Sequence, residues 1–185
     1  MQIKLLLLDF DGTLADTRRA NTLAYIDALA EEGYRLDEAT YEAKYFGMRC
    51  PEFLSDIGFT SPEDRERIRR RKIEIYPTHF DTVRLNLPLM EFVRDFRSRG
   101  SLAYVVSTGH IDNITNVMDY LGIRREFDRI LSGDDVSRAK PDPECFLRAM
   151  EIAGVTPAES LIFEDSAVGL EAAERSGAPY FKVTL

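Results

Sequence analysis

The amino-acid sequence predicts an α/β fold, a parallel β-sheet with helices on both faces and a small helical domain inserted near its start. Short apolar runs alternate with helical periodicity through most of the chain, which is typical of a parallel sheet. Residues 15–85 break this alternation and show helical periodicity with no convincing strand. In addition, three of the predicted strands end in an acid or a hydroxyl residue, at the sheet edge where open α/β sheets bind ligands.

The first element is a strand over residues 3–9. Its run of consecutive leucines is the pattern of a strand buried on both faces, and it ends at Asp9. Gly12 follows as a turn residue. This strand therefore carries Asp9 and Asp11 to the carboxyl edge of the predicted sheet.

The remaining elements of the core follow the insertion. We predict helices over residues 89–99, 111–121, 143–153 and 166–176, and strands over residues 102–107, 127–131, 161–164 and 180–184. Asp142 is placed to cap the third of these helices, with Pro143 at its first position, and Ser166 is placed to cap the fourth. Together with the first strand they form a Rossmann-like core.

The insertion divides the chain into a core of residues 1–14 and 86–185 and a helical domain of residues 15–85. The chain leaves the core directly after Asp11 and returns just before the first core helix. Because it departs from the predicted site, we interpret the insertion as a cap over the mouth of that site. The alternative is that the inserted helices lie far from the predicted site and take no part in its reaction.

Composition limits the classes of function. With 185 residues, 44% of them hydrophobic and 30% charged, the chain suits one soluble globular domain with an inserted lobe. A net charge of −8 argues against nucleic acid as a partner. Cys50 and Cys145 form no paired motif, and the first apolar run is too short to span a membrane. We therefore expect a cytoplasmic protein without a membrane partner.

Asp9 and Asp11 suggest metal-assisted chemistry. Two carboxylates held close together repel each other, and a bound divalent cation relieves that repulsion. A carboxylate at a strand end can also serve as a nucleophile. The simpler alternative is that both acids only terminate the strand and begin a turn, since Asp and Gly are common turn residues.

Three later motifs favour the chemical interpretation. The ordered set is Asp9-Phe10-Asp11-Gly12-Thr13, then Val106-Ser107-Thr108-Gly109, then Lys140-Pro141, then Glu164-Asp165-Ser166 with Gly169, Ala172 and Ala173. Each motif alone is unspecific, but their order and strand-end placement are specific. The whole chain thereby resembles the haloacid dehalogenase-like hydrolase superfamily. It is most similar to the subgroup with a small helical cap, which includes phosphoglycolate-phosphatase-like and β-phosphoglucomutase-like enzymes.

The resemblance implies roles for the acidic residues. Asp9 would be the nucleophile that forms an aspartyl-phosphate, and Asp11 would be the general acid and base. Mg²⁺ would be held by Asp9, the backbone carbonyl of Asp11 and Asp165, with Glu164 as a further candidate, directly or through water.

The resemblance also implies where a substrate would bind. Ser107 would offer its hydroxyl, and Thr108 and Gly109 their backbone N–H groups, to the phosphoryl oxygens, with Lys140 as a positive charge beside them. In the cap, Phe46-Gly47-Met48-Arg49 resembles the substrate-specificity loop of the family, in which a glycine turn presents side chains to the leaving group, and Arg49 is therefore a candidate contact for that group.

The function that this resemblance implies is an Mg²⁺-dependent phosphatase acting on a small phosphorylated metabolite. Asp11 disfavours a dehalogenase, because a halide leaving group needs no acid. A phosphosugar mutase is the first alternative, but Asn21 stands about where the mutases carry a histidine. A signalling receiver domain and a catalytically silent binding protein are the remaining alternatives.

Overall fold

The computed structural model of the chain describes residues 2–185. In chain order its strands and helices are β1 (Leu5–Leu8), β2 (Ala15–Asp16), α1 (Arg18–Glu31), α2 (Glu38–Thr40), α3 (Cys50–Asp56), α4 (Pro62–Ile75), β3 (Arg84–Leu85), α5 (Leu87–Ser98), β4 (Leu102–Val106), α6 (Ile111–Tyr120), β5 (Arg129–Leu131), α7 (Glu144–Ala153), β6 (Ser160–Glu164), α8 (Ala167–Ser176) and β7 (Tyr180–Lys182). Within residues 2–185 we find no helix that is both long and apolar enough to cross a lipid bilayer.

Five of the strands form one parallel sheet in the order β5-β4-β1-β6-β7. The first strand therefore lies in the middle, with Leu8 between Val105 of β4 and Phe163 of β6. All strands run the same way, so the residues that follow β1, β4 and β6 meet at one edge of the sheet. This arrangement confirms the predicted α/β fold.

Helices cover both faces of the sheet. Leu5, Leu7 and Ile162 share one face with the buried side chains of α7 and α8, including Phe146. The neighbouring strand residues point the opposite way. There Phe163 meets Phe92 of α5, with ring centroids 5.6 Å apart. Because both faces are covered, β1 reads as a continuous apolar run and not as an alternating one.

The chain divides into two compact units. One contains the sheet and consists of the chain up to Asp16 together with Arg84–Leu185, and the other is Thr17–Val83. The second unit contains α1 to α4 and packs around an aromatic cluster of Tyr25, Tyr41, Tyr45 and Phe53. This unit, Thr17–Val83, begins and ends two residues inside the range 15–85 that we predicted for the inserted domain.

The expectation that residues 15–85 hold no strand is wrong. Ala15–Asp16 and Arg84–Leu85 pair as an antiparallel two-stranded ribbon. Strands of two residues are too short to show the alternation that identifies a strand in a sequence, and their pairing joins distant segments of the chain. The ribbon belongs to the unit that contains the sheet.

Two helix starts also differ from the prediction. Helix α5 begins at Leu87, because the side chain of Asn86 accepts a hydrogen bond from Leu89 N–H at 3.2 Å and acts as the cap. Helix α7 begins at Glu144 with Pro143 as its cap residue, although Asp142 Oδ1 does accept the Glu144 N–H at 3.0 Å. The predicted cap of α8 is confirmed, since Gly169 N–H donates to Ser166 Oγ at 3.1 Å.

Candidate active site

Asp9 lies at the carboxyl end of the central strand. Its N–H donates to Phe163 O at 3.0 Å and so continues the hydrogen bonding of the sheet one residue beyond β1. The residue is 6% exposed. A carboxylate in this position is held rigidly and is largely shielded from water, as a nucleophile requires.

The turn after Asp9 brings the first motif against the end of β6. Gly12 has a φ of +95°, and a Cβ at this position would collide with the carboxylate of Asp165. Thr13 is fully buried and donates its hydroxyl to Asp165 Oδ1 at 2.9 Å. The glycine thus permits the close approach, and the threonine fixes the orientation of Asp165.

Three carboxylates converge at this edge of the sheet. Asp9, Glu164 and Asp165 each offer an oxygen, and these oxygens lie within 4.8 Å of one another. Hard divalent cations such as Mg²⁺ prefer oxygen ligands of this kind. The fixed orientation of Asp165 and the rigid position of Asp9 therefore fit a metal site.

Lys140 reaches into the same cluster. Its Nζ donates to Asp9 Oδ1 at 2.6 Å, to Glu164 Oε1 at 2.7 Å and to Val106 O at 3.3 Å. The other oxygen of Glu164 accepts the N–H and the hydroxyl of Ser166, at 2.8 and 3.0 Å. Glu164 thus ties Lys140 to the start of α8.

The charges of the cluster do not balance without a further cation. Burial raises the pKa of Asp9 well above its usual range, Lys140 opposes this rise, and Glu164 adds to it. Burial would lower the pKa of Lys140, but Asp9 and Glu164 outweigh it and the pKa is raised. Burial also raises the pKa of Asp165, against the hydrogen bond from Thr13. One ammonium therefore faces three carboxylates, and a cation that binds here would stabilise their ionised forms.

The loop after β4 lies beside the acidic turn. Ser107 N–H donates to Leu131 O at 2.9 Å, and Gly109 N–H donates to Ser107 Oγ at 3.0 Å. Because the Ser107 oxygen accepts that bond, its hydroxyl proton is oriented to donate elsewhere. A Cβ on Gly109 would lie 3.6 Å from Asp11 Oδ2, so the carboxylate of Asp11 faces this loop.

The structure thus brings most of the predicted site residues together within the unit that contains the sheet. Asp9, Lys140, Glu164 and Asp165 form one cluster, and Asp11 lies beside the Ser107–Gly109 turn. Arg49 belongs to the other unit, where it directly precedes α3 and its carbonyl accepts the N–H groups of Glu52 and Phe53 at 3.0 Å.

Sequence reasoning assigned no role to Thr13 and considered Glu164 only as a metal candidate. The bond from Thr13 to Asp165 and the ion pair between Glu164 and Lys140 both join distant segments. Only the burial of a polar residue inside the first motif could have indicated the role of Thr13, and burial is not visible in a single sequence.

Two curated relatives match nearly the whole chain. The fructose-1-phosphate phosphatase YqaB of Escherichia coli is 27% identical, over 93% of this chain and 92% of the relative. A phosphoglycolate phosphatase of Aquifex aeolicus is 28% identical, over 95% of this chain and 82% of the relative. The chain is therefore similar in sequence and in length to proteins named as phosphatases.

A crystal structure of CbbY from Rhodobacter sphaeroides, in complex with xylulose 1,5-bisphosphate, has the same fold. The TM-score is 0.90 at 23% identity, over 100% of this chain and 87% of that chain. At this level of identity the match supports the architecture alone.

The sequence profile of the haloacid dehalogenase-like hydrolases matches residues 6–183, which is nearly the entire chain. This match agrees with the parallel sheet, with the convergence of Asp9, Lys140 and Asp165 at its edge, and with the named relatives. It confirms the predicted family, and together with the named phosphatases it supports the prediction of a phosphoric monoester hydrolase. The chain belongs to the haloacid dehalogenase-like hydrolase family.

Proposed function

We propose that this protein is an Mg²⁺-dependent phosphatase that hydrolyses a small phosphate monoester through an aspartyl-phosphate on Asp9. The observation that supports it most is the buried carboxylate of Asp9, which lies 2.6 Å from the Lys140 ammonium and beside Asp165. A nucleophile, a fixed positive charge and a metal-ligand set occupy one rigid edge of the sheet. Phosphoryl transfer depends mainly on such positioning and charge neutralisation.

In the first step an oxygen of Asp9 attacks phosphorus, and the bond from phosphorus to the leaving oxygen breaks. Asp11 donates its proton to that oxygen, so the leaving group departs as an alcohol. In the second step Asp11 takes a proton from water, whose oxygen attacks the same phosphorus. The bond to Asp9 breaks, phosphate is released, and both aspartates return to their starting forms.

Several groups would stabilise the charge on the phosphoryl oxygens. The hydroxyl of Ser107, the N–H of Thr108 and Lys140 are the proposed donors. The N–H of Gly109 would join them by leaving Ser107 Oγ, to which it donates at 3.0 Å in this structure. Mg²⁺, held by Asp9, Asp165 and the Asp11 carbonyl, would supply electrostatic stabilisation of the phosphoryl group. Glu164 would act mainly by holding Lys140 in place, since its two oxygens bind Lys140 and Ser166.

The substrate class follows from the relatives and from the acid at position 11. Both relatives are named for phosphate monoesters of small metabolites, and alkyl leaving groups of this kind require protonation. In the helical unit, Asn21 Oδ1 accepts Lys72 Nζ at 2.7 Å and its Nδ2 donates to Tyr76 OH at 3.0 Å. An amide accepts no proton at neutral pH, which favours a hydrolase over a mutase. Arg49 remains a proposed contact for the leaving group, on the basis of the resemblance of its loop to the substrate-specificity loop of the family.

Release of phosphate from p-nitrophenyl phosphate, measured with Mg²⁺ and with excess chelator, tests this proposal. We expect turnover that requires the metal and returns when Mg²⁺ is restored. Turnover that is unaffected by the chelator would contradict the metal requirement. Absence of turnover on this compound and on a panel of phosphorylated metabolites would contradict the phosphatase.

Replacement of Asp11 by Asn should slow the enzyme in a way that depends on the leaving group. Alkyl phosphates need protonation of the departing oxygen, whereas p-nitrophenolate leaves without it. We expect kcat to fall about 10²- to 10⁴-fold for an alkyl phosphate, and by clearly less for formation of the aspartyl-phosphate from p-nitrophenyl phosphate. Rapid-quench measurement of the first turnover distinguishes the two. Equal losses for both substrates would remove the acid role from Asp11.

Replacement of Asp165 by Asn should lower the affinity of the site for Mg²⁺ while leaving the fold intact. The amide keeps an acceptor for the Thr13 hydroxyl but loses the charge that binds a cation. We expect the Mg²⁺ concentration for half-maximal activity to rise about 10- to 100-fold. Because the folded-state pKa of Asp165 is raised, its ionised form opposes folding at neutral pH, so the Asn variant without metal should melt no lower than wild type. An unchanged Mg²⁺ dependence would show that Asp165 is not a ligand.

A further inference from the structure

The loop that follows β5, residues 132–135, is braced by its own side chains. Ser132 is 2% exposed, and its N–H and its hydroxyl both donate to Asp135 Oδ2 at 2.8 Å. Asp134 N–H in turn donates to Ser132 Oγ at 3.2 Å. These reciprocal bonds form a capping box, which restricts the backbone of this short turn. We call residues 132–135 the β5 loop.

The β5 loop contacts the backbone of the proposed phosphate-binding turn. Gly133 N–H donates to Gly109 O at 2.9 Å. A Cβ on Gly133 would overlap the carbonyl oxygen of Thr108, so only glycine allows this approach. Because a peptide group is planar, the position of the Thr108 carbonyl also fixes the direction of the Gly109 N–H, which belongs to the same peptide.

Asp134 holds the other end of the same turn. Its Oδ2 accepts the N–H of Ile111, the first residue of α6, at 3.2 Å. The same oxygen lies 3.5 Å from His110 Nε2, while His110 Nδ1 accepts Asp112 N–H at 3.2 Å. The backbone from Thr108 to Ile111 is therefore held by Gly133 at one end and by Asp134 at the other.

We propose that Gly133 and Asp134 are positioning residues that set the affinity of the Ser107–Gly109 turn for phosphoryl oxygens. The inference rests on the proposed function, since it assumes that this turn binds phosphate. Donors on a backbone turn bind an anion well only when they are already aimed at it. The β5 loop supplies that orientation from outside the site, without touching the substrate.

Binding of inorganic phosphate in the presence of Mg²⁺, measured by isothermal titration calorimetry, tests the proposal. In Gly133→Ala the new methyl group must displace the Thr108 carbonyl, and we expect the dissociation constant to rise about 10- to 100-fold. The Mg²⁺ concentration for half-maximal activity should stay within about threefold of wild type, because the metal ligands are not moved. If Gly133 only supported the fold, the phosphate dissociation constant and the Mg²⁺ concentration for half-maximal activity would change together.

Two variants of Asp134 provide a second test, which is informative whether or not Gly133→Ala folds. Asp134→Ala and Asp134→Asn remove the same negative charge, but only Asn retains an acceptor for the Ile111 N–H. We expect Asp134→Ala to bind phosphate about fivefold more weakly than Asp134→Asn, the ratio that one hydrogen bond supports. This comparison cancels the effect of the charge.

Two controls match these changes at sites remote from the turn. Gly100→Ala strains a glycine with a φ of +87°, where the added Cβ would meet nothing within 4 Å beyond the adjacent residues. Asp119→Asn removes an exposed carboxylate from the far end of α6. Both should bind phosphate as wild type does. Unchanged binding in Gly133→Ala, with equal binding in the two Asp134 variants, would overturn the role of the β5 loop alone. Absence of phosphate binding in wild type would overturn the proposed function as well.

Discussion

Asp9→Asn should abolish turnover while the protein remains folded. The amide has nearly the size of the carboxylate, but it cannot attack phosphorus, and we expect kcat to fall by about 10⁴-fold or more. The substitution also removes one of the two carboxylates that pair with the Lys140 ammonium, in a cluster of three. Since burial holds the pKa of Asp9 high, its charge opposes folding, and the variant should melt no lower than wild type without metal.

The matched control is Asp119→Asn, which removes an exposed aspartate that pairs with Arg124 at 2.9 Å. We expect its kcat to equal that of wild type. Steady-state assays with p-nitrophenyl phosphate, together with melting curves in chelator, provide both quantities. An Asp9→Asn enzyme that retains activity within about tenfold of wild type would exclude Asp9 as the nucleophile.

Lys140→Met should damage both stability and activity, in contrast to Asp9→Asn. It leaves Asp9 and Glu164 buried without their common cation, and loss of one partner from a buried ion pair costs about 3–5 kcal/mol. For a chain of this length that corresponds to a melting temperature lower by roughly 10 °C. Loss of a charge that stabilises the transferred phosphoryl group should also lower kcat by about 10²- to 10³-fold.

The loss of stability in Lys140→Met should shrink as the pH falls. Without Lys140 the pKa of Asp9 can only rise further, so acid protonates the buried carboxyl and removes its unpaired charge. Melting curves between about pH 8 and pH 5 measure this dependence. Lys4→Met is the control, because Lys4 forms an exposed ion pair with Glu159 and should contribute at most about 1 kcal/mol. A Lys140→Met protein that melts as wild type does would contradict the charge balance described for the site.

Much of the fold was predictable because the local signals and the tertiary structure agree. The run of leucines in β1 is buried on both faces, and Ser166 caps α8 as its position suggested. The ribbon of β2 and β3 was missed because two-residue strands carry no periodicity. We predicted too late a start for helix α5 because the sequence did not show that Asn86 Oδ1 accepts a hydrogen bond from Leu89 N–H.

The site was predictable at the level of residues but not at the level of contacts. Strand order alone brings Asp9, Ser107 and Asp165 to one edge. The support around them depends on approaches between distant segments, such as Thr13 to Asp165 and Gly133 to the Thr108 carbonyl. In a single sequence, a glycine that permits a close approach cannot be distinguished from any other turn glycine. These contacts are therefore visible only in the three-dimensional structure.

Trapping of the covalent intermediate tests the central claim most directly. Borohydride reduces an aspartyl-phosphate to homoserine, so enzyme quenched during turnover and digested can be searched by mass spectrometry for a homoserine. We expect it at position 9, only when Mg²⁺ and a phosphate monoester are both present, and not at Asp11. Quenched enzyme in steady turnover with an unmodified Asp9, or with the modification at another residue, would contradict the account.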